Sequence, residues 1–462
     1  MTLPRRLVAC ALLVLLPRCL LAAGKLNVLF ITMDDLNVRV GCYGDAQAET
    51  PNVDRLARQG VRFEHAYAQY PFCNPSRTSF LSGLRPDRTR VLGNGKDESP
   101  RRALKDHIFL PQAFRQQGWF TARVGKIFHI GYDQPECWDI TEEGTDRPRI
   151  IGTPKELDGM DLRKHVVSEV DLAGVYSEPP KVYQLAVEDD ATVDGKISRR
   201  IVQLLEQAAK GDKPFFIAAG FRRPHLPFMA PQKYFMPHDP AKLVLPDPNA
   251  PPLPNLESGG RVPTEQEKRL ALQGYYSAMT FSDSQVGLVF AAMDRLKLWD
   301  HTIVVLMGDH GYMLGERNNF YGKVNLAELA CHAPLILAGP GIAVNRASPR
   351  TVEFLDLYPT LAELCGVRPP ANLEGYSLRP LLSDPSAAWT HPAYSVIATG
   401  ETITARSVRT ERWRYSEGAP GAKYVTELYD HVTDPLEYQN LAADPAQAKT
   451  VAEMQALLAA VK

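Results

Sequence analysis

Short apolar runs recur along the chain, and several of them end directly in charged residues. Residues 26–33 read LNVLFITM before two aspartates, and residues 302–307 read TIVVLM before Gly-Asp-His. Runs that are nearly continuous in strand-forming apolar residues are typical of parallel strands buried on both faces. Residues 266–298 carry apolar side chains at helical spacing and predict a long helix packed on such a sheet. A further helix is predicted over residues 352–364. The sequence therefore predicts an α/β fold with a large central, mostly parallel sheet flanked by helices.

The length of the chain predicts more than one folded unit, because 462 residues exceed what one ordinary hydrophobic core holds. Between residues 369 and 382 the composition turns to Pro, Asn, Gly and Ser, which predicts a large domain at 25–375 and a smaller one at 376–462. Strand-like runs before a terminal helix predict that the smaller one is an α+β subdomain built on an antiparallel sheet. Residues 130–193 show few periodic runs, so we expect a long loop with little regular structure.

The first 24 residues have the layout of a signal peptide, with a positive start, an apolar run over 7–16 and small residues at 22–24. We expect the mature protein to be exported, either to the periplasm or out of the cell, with no further membrane contact. The alternative is an N-terminal membrane anchor. The apolar run is short for a bilayer span and is interrupted by Pro17 and Arg18, which favours the signal peptide.

The formal net charge is −1, which gives no reason to expect nucleic acid or a polybasic membrane contact. An anionic substrate would have to be attracted by local cations. Two of the seven cysteines lie in the leader, and no pair of cysteines has a metal-type spacing. The others are Cys42, Cys73, Cys137, Cys331 and Cys365, and the sequence leaves open whether any of them form disulfides.

The stretch at 73–83, CNPSRTSFLSG, places a lone thiol ahead of a proline, a hydroxyl and a guanidinium at fixed offsets. Arg77 never deprotonates and can grip two oxygens of an oxyanion at once. Pro75 stiffens the turn, and a helix from Ser76 would offer its first amide N–H groups to an anion. The stretch therefore predicts a site for an anionic substrate around Cys73. Taken alone, it also fits a buried cysteine ahead of a helix N-cap.

Other charged groups stand at or just after the ends of predicted strands, or in a stiff turn. In open parallel sheets, ligands bind outside the carboxyl ends of the strands, so we expect these groups to share one crevice. Adjacent carboxylates suit a hard divalent cation, and a histidine held between prolines is a candidate proton donor. Each group alone also fits a solvated strand end or loop. The groups are Asp34, Asp35, Lys126, His129, His225, Asp309, His310 and Lys323.

The pattern C-x-P-S-R-x(4)-[ST]-G over 73–83 resembles the signature of type I sulfatases, and further matches extend over nearly all of the mature chain. The resemblance implies an alkaline-phosphatase-like fold and a hydrolase of sulfate esters. It also implies that the cysteine is oxidised to Cα-formylglycine by a maturation enzyme, and that calcium is bound beside it. The metal ligands implied by the match are Asp34, Asp35, Asp309, His310 and an oxygen of the modified Cys73. The catalytic residues implied are Cys73, Arg77, Lys126, His129, His225 and Lys323.

One subgroup of that family, similar to iduronate-2-sulfatase, shares the blocks at 125–129 and 215–227 and an Asp-His pair where many members have Asp-Asn. Residues matching Arg90 and Glu353 hold the uronate in that subgroup, so both are implied as substrate-binding residues. The segment 130–139 does not resemble the corresponding segment of that subgroup. The implied substrate is a sulfated carbohydrate, with either the 2-O-sulfate of a uronic acid or another sulfated sugar of a polysaccharide.

Two alternatives remain at this point. A phosphatase or phosphonate hydrolase of the same superfold would use the same metal crevice, although those relatives often carry Ser or Thr in place of the cysteine and lack the full motif. A protein whose Cys73 stays unmodified would bind sulfated glycans without cleaving them.

Overall fold

The computed structural model describes residues 25–95, 97–143, 156–157, 160–161, 164–172, 181–256 and 261–461. The predicted signal peptide lies outside these residues. The strands, in chain order, are β1 (Asn27–Met33), β2 (Gly60–Tyr67), β3 (Phe120–Gly125), β4 (Ile140–Glu142), β5 (Glu156–Leu157), β6 (Met160–Asp161), β7 (Val166–Asp171), β8 (Lys181–Leu185), β9 (Phe215–Phe221), β10 (Phe228–Pro231), β11 (Thr302–Gly308), β12 (Met313–Leu314), β13 (Tyr321–Gly322), β14 (Leu335–Ala338), β15 (Arg346–Glu353), β16 (Ala393–Thr399), β17 (Thr402–Arg409), β18 (Trp413–Gly418) and β19 (Glu427–Asp430). The α-helices are α1 (Pro51–Gln59), α2 (Cys73–Ser82), α3 (Pro86–Thr89), α4 (Leu110–Gln116), α5 (Val193–Ala208), α6 (Glu265–Arg295), α7 (Glu328–Cys331), α8 (Leu357–Cys365), α9 (Arg379–Ser383) and α10 (Ala448–Ala459).

The main sheet has eight strands in the order β15-β2-β14-β11-β1-β9-β3-β4. Strand β1 lies in its middle and pairs in parallel with both β9 and β11. Only β14 runs against its neighbours in this sheet, since it is antiparallel to β11 and to β2. The predicted α/β fold with a central, mostly parallel sheet is therefore confirmed.

Alternate residues of β1 pack into two cores, one on each face of the sheet. Leu29 and Ile31 belong to a cluster that includes residues of α5 and α6, whereas Val28 and Phe30 belong to one that includes residues of α2, α4 and α8. Side chains of a strand point alternately to opposite faces, so a strand covered on both sides must be apolar throughout. This explains the continuous apolar runs of the sequence.

The C-terminal part forms a separate antiparallel sheet, in the order β16-β17-β18-β19. Met454 and Leu458 of α10 pack on Val408 and Tyr415 of that sheet. The predicted α+β character of this part is confirmed, while the boundary at residue 375 stays a prediction. Across the described residues, we find no helix that is both long and apolar enough to span a bilayer.

Two predictions about local structure were wrong. The segment 130–193 holds more regular structure than expected, because β4 extends the edge of the main sheet and β7 and β8 pair with each other. The helix expected from residue 352 begins at Leu357, because residues 346–353 form β15 beside β2. These strands are short or half-exposed, so they lack the continuous apolar run that marks a central strand.

Strands β3 and β9 approach each other so closely at their carboxyl ends that glycines face each other there. Gly125 and Gly220 are register partners, and the Lys126 N–H donates to the Gly220 carbonyl at 2.8 Å. A Cβ on Gly220 would overlap the peptide of Lys126, and Gly125 has a φ of +84°. The two glycines therefore fix the path of the backbone that leads into Lys126.

We expect Gly220→Ala to destabilise the fold by about 1–3 kcal/mol, because the new methyl group has no space beside the Lys126 peptide. Gly211→Ala is the matched control, since a Cβ there meets its nearest atom at 3.6 Å, an ordinary contact. Chemical denaturation of the two variants measures the difference. Equal free energies of unfolding for both would contradict the close approach of β3 and β9.

Candidate active site

The sequence-predicted groups meet where the central strands end. Asp34 and Asp35 follow β1, and Asp309 and His310 follow β11, the parallel neighbour of β1. Cys73 is the first residue of α2, so this helix begins earlier than the expected start at Ser76. All five side chains are buried. The carboxyl ends of parallel strands meet at one edge, which explains how residues more than 200 positions apart form one cluster.

The guanidinium of Arg77 is 0% exposed and joins the two strand ends. Its Nε donates to Asp309 Oδ2 at 2.9 Å, and its Nη2 donates to Asp34 Oδ1 at 3.0 Å. Its Nη1 donates to the carbonyl oxygens of Lys126 and Ile127, which follow β3. The sequence predicted that this guanidinium binds the substrate. In the structure, most of its N–H groups instead donate to carboxylate and carbonyl oxygens of the protein.

The thiol of Cys73 is surrounded by cationic groups. Its Sγ lies 3.2 Å from Lys323 Nζ and 3.3 Å from His310 Nε2, and 3.9 Å from Asp35 Oδ1. Burial raises the pKa of this thiol, but Lys126, Lys323 and His310 together bring it well below its usual value. Any negatively charged group at this position is therefore stabilised.

Three carboxylates, those of Asp34, Asp35 and Asp309, offer oxygens that all lie within 4.8 Å of one another. One oxygen, Asp35 Oδ2, is buried and accepts no hydrogen bond. Burial raises the pKa of Asp309 to about 6 despite Arg77, whereas Lys126 and other cations more than offset burial at Asp34 and lower its pKa. Clustered buried carboxylates with an unused oxygen fit a hard divalent cation such as calcium.

His310 lies at the border of this cluster, with Nε2 at 3.4 Å from Asp35 Oδ1 and 3.5 Å from Asp309 Oδ2. Its Nδ1 donates to the Gly311 carbonyl at 2.8 Å, which leaves Nε2 to face the carboxylates. Burial lowers the pKa of His310, but Asp309 outweighs it and the pKa rises to about 9. Imidazole nitrogen is a poorer calcium ligand than a carboxylate oxygen, so the carboxylates are the main donors of this set.

Two further histidines border the thiol. His225 Nδ1 donates to the Leu226 carbonyl at 2.7 Å, and Nε2 lies 3.8 Å from Asp35 Oδ2. The turn that carries it is held by Asp194, whose carboxylate accepts the N–H groups of residues 222 and 223 at 2.9 Å each. Burial lowers the pKa of His129 to about 4, although a hydrogen bond with Cys73 acts in the opposite direction. Both predicted histidines therefore lie at the site.

Lys126 and Lys323 each pair with one of the buried carboxylates. The ammonium of Lys126 bonds to Asp34, and that of Lys323 bonds to Asp35. Burial lowers the pKa of Lys323, but Asp35 and Cys73 more than compensate, and the pKa lies well above its usual value. These two ammonium groups attract an anion to the position beside the thiol.

The two residues implied as substrate-binding lie in different surroundings. Arg90 is exposed, and its Nη2 donates to the Glu401 carbonyl at 2.8 Å. Glu353 is buried, and its two oxygens each accept from Arg85 at 2.6 Å. The contacts of Glu353 are thus structural, and its role in substrate binding, like that of Arg90, stays a prediction.

Several residues that position the site had no predicted role. Ser76 donates from Oγ to the Asp309 carbonyl, and Asn74 Nδ2 donates to the carbonyls of Gly93 and Glu98 at 2.9 Å each. Both lie inside the 73–83 stretch, so the motif marked their positions although it did not predict these contacts. Tyr275, which contacts the backbone of Asp35, lies in a helix that the sequence marked only as core. No pattern in the sequence distinguishes it from other core residues.

Comparison with known proteins agrees with this geometry. A family model described as Sulfatase matches residues 26–367, and one described as N-sulphoglucosamine sulphohydrolase, C-terminal, matches residues 315–462. A Sulfatase of Formosa agariphila is 32% identical over 457 residues, covering 94% of this chain and 86% of that protein. Iduronate 2-sulfatase of Homo sapiens is 30% identical over 400 residues, covering 75% and 70%. The solved structure of a 2-O GAG sulfatase matches with a TM-score of 0.73 at 25% identity, covering 94% of this chain and 91% of that one.

The Sulfatase model spans well over half of the chain, and its match begins at β1 and runs through α8. These matches confirm the resemblance seen in the 73–83 motif. The relatives named here are sulfatases, which supports hydrolysis of a sulfuric ester. The chain belongs to the sulfatase family and is a sulfuric ester hydrolase.

Proposed function

We propose that this sulfatase removes a sulfate ester from a sulfated sugar of a polysaccharide, with the 2-O-sulfate of a uronic acid as the favoured substrate, and that its nucleophile is Cα-formylglycine made from Cys73. The observation that carries the proposal is the position of Cys73, whose Sγ is buried between Lys323 and His310 beside three carboxylates. The similarity to an iduronate 2-sulfatase and a 2-O GAG sulfatase supports the sugar class.

Formylglycine and a divalent cation would together supply an activated hydroxyl as the nucleophile. The side chains of the site have the arrangement to act on the substrate around it. Lys126 and Lys323 would bind the sulfate oxygens and stabilise the charge that grows on them. His225 Nδ1 is committed to the Leu226 carbonyl, so Nε2 is the nitrogen that would protonate the departing sugar oxygen.

His129 would act later in the cycle. Its hydrogen bond with Cys73 places it to take a proton from position 73 when sulfate is expelled. Arg77 contributes by holding Asp34 and Asp309 in place, since both carboxylates accept from its guanidinium. The cation would be held by Asp34, Asp35, Asp309 and His310, together with an oxygen at position 73.

The proposal extends to maturation and location. A formylglycine-generating enzyme must act on the 73–83 stretch before the chain folds, because Cys73 and its neighbours in α2 are buried afterwards. The layout of residues 1–24 supports export to the periplasm or out of the cell. We further propose a catalytic domain at 25–375 and a C-terminal subdomain at 376–462.

Mass spectrometry of the tryptic peptide 63–77 tests the nucleophile. We expect protein made in a host with a competent maturation enzyme to lose the sulfur of Cys73 and to release sulfate, whereas Cys73→Ala from the same host is inactive. Protein from a host without that enzyme is the control for the modification. An active protein whose peptide retains the sulfur would overturn the formylglycine proposal.

Removal of a carboxylate tests the metal. Asp34→Asn and Asp309→Asn should each abolish turnover and the rise in melting temperature with calcium, because each removes a charged oxygen ligand. For the wild type, calcium at 100 times its Kd should stabilise the fold by about 2.7 kcal/mol. Asp294→Asn is the control, since that carboxylate is on the surface and pairs with Arg55. If chelation leaves activity and melting of the wild type unchanged, the carboxylates hold no cation.

Arg90→Ala tests the sugar class. A charged contact to the uronate carboxylate is worth about 1.5–3 kcal/mol, so kcat/KM for a 2-O-sulfated uronate disaccharide should fall roughly 10- to 100-fold. A small aryl sulfate, which lacks the carboxylate, should be cleaved as by the wild type. Arg88→Ala is the matched control, because Arg88 is exposed two residues away and ion-pairs with Glu374. A uniform loss with Arg90→Ala on both substrates would argue against uronate recognition, but leave the sulfatase assignment intact.

A further inference from the structure

Asp35 has an unusual backbone conformation for a residue with a side chain. Its φ is +61°, in the left-handed region that L-residues other than Asn and Asp seldom adopt. The residue is the second after the end of β1 and lies in a turn. The direction of the Asp35 carboxylate therefore depends on whatever keeps the backbone in this conformation, because relaxation to a negative φ would swing the side chain away.

Two hydrogen bonds fix the peptide groups on either side of Asp35. Its N–H donates to Asp309 Oδ1 at 3.0 Å. Its carbonyl oxygen accepts from the hydroxyl of Tyr275 at 2.9 Å, and the same hydroxyl accepts from the N–H of Asn37 at 2.9 Å. The Tyr275 hydroxyl thus closes the turn from Asp35 to Asn37 by bridging its two ends.

The position of Tyr275 is itself rigid. The residue lies in α6, is fully buried, and its ring contacts the rings of Phe228 and Tyr312. Helix α6 carries this hydroxyl to the end of β1 from 240 positions away in sequence.

We propose that Tyr275 is a positioning residue for the metal site, holding the turn from Asp35 to Asn37 in the conformation that directs the Asp35 carboxylate toward Asp34 and Asp309. This inference rests on the proposed function, in which Asp35 is a ligand of the cation. Without the hydroxyl, a buried carbonyl and a buried N–H lose their partner. The turn then relaxes, and the carboxylate is no longer preorganised for the cation.

The neighbouring Tyr276 provides a matched control. Its hydroxyl donates to Asp45 Oδ2 at 2.6 Å and accepts from Arg39 Nη1 at 3.3 Å, away from Asp35. Tyr275→Phe and Tyr276→Phe each remove one hydrogen-bonded hydroxyl from adjacent positions of the same buried helix. A general loss of stability affects both variants, whereas a loss of metal positioning affects only the first.

The test is calcium binding by isothermal titration of chelator-treated protein, with the melting temperature followed in parallel. We expect Tyr275→Phe to raise the calcium Kd at least about tenfold and to reduce the calcium-dependent rise in melting temperature, in line with the effect of losing a partner that orients a metal ligand. Tyr276→Phe should keep the calcium Kd of the wild type while losing a similar amount of thermal stability. The titration stoichiometry counts folded molecules, so partial unfolding does not obscure the affinity.

Each contrary result has a separate meaning. If the wild type binds calcium and Tyr275→Phe binds it equally well, the role of Tyr275 is wrong while the proposed function stands. If both variants lose affinity alike, the effect is general destabilisation and the positioning role is again wrong. If the wild type binds no calcium, the metal assignment fails and the inference fails with it.

Discussion

The clamp that Arg77 forms between Asp34 and Asp309 is the interaction on which the rest of the site depends. It joins the ends of β1 and β11 in a region without solvent, where an unpaired charge costs several kcal/mol. Removing the guanidinium would take away the cation that Asp34 and Asp309 share, and would leave Asp34 with Lys126 alone. A buried cation that holds two anions is therefore as much a part of the fold as of the chemistry.

The charged groups of this site neutralise one another because they lie close together. Asp34, Asp35 and Asp309 are crowded together, and the ammonium groups of Lys126 and Lys323 each bond to one of them. A divalent cation among the carboxylates would release these lysines toward an incoming anion. In the proposed mechanism, the carboxylates and lysines neutralise one another without a substrate, and with metal and sulfate bound the carboxylates would face the metal and the lysines the sulfate.

The sequence predicted the central strands and the residues at their ends, because continuous apolar runs leave few alternatives and strand ends meet at one edge. It did not predict β15, of whose eight residues only four are buried. Nor did it predict that Arg77 would face carboxylates, since the motif shows the spacing of the guanidinium but not its partners. The contacts of Tyr275 and the pairing of Glu353 with Arg85 depend on residues far apart in sequence, which no local pattern records.

The turn between β16 and β17 contacts Arg90, whose Nη2 donates to the Glu401 carbonyl. This turn belongs to the C-terminal sheet, and the central strands do not depend on its length. Surface turns of this kind tolerate insertion and deletion. With Arg90 as the proposed sugar-binding residue, changes in the C-terminal hairpin would alter its surroundings while the buried charge cluster stays unchanged. The choice of sugar and the cleavage of the ester could then diverge at different rates.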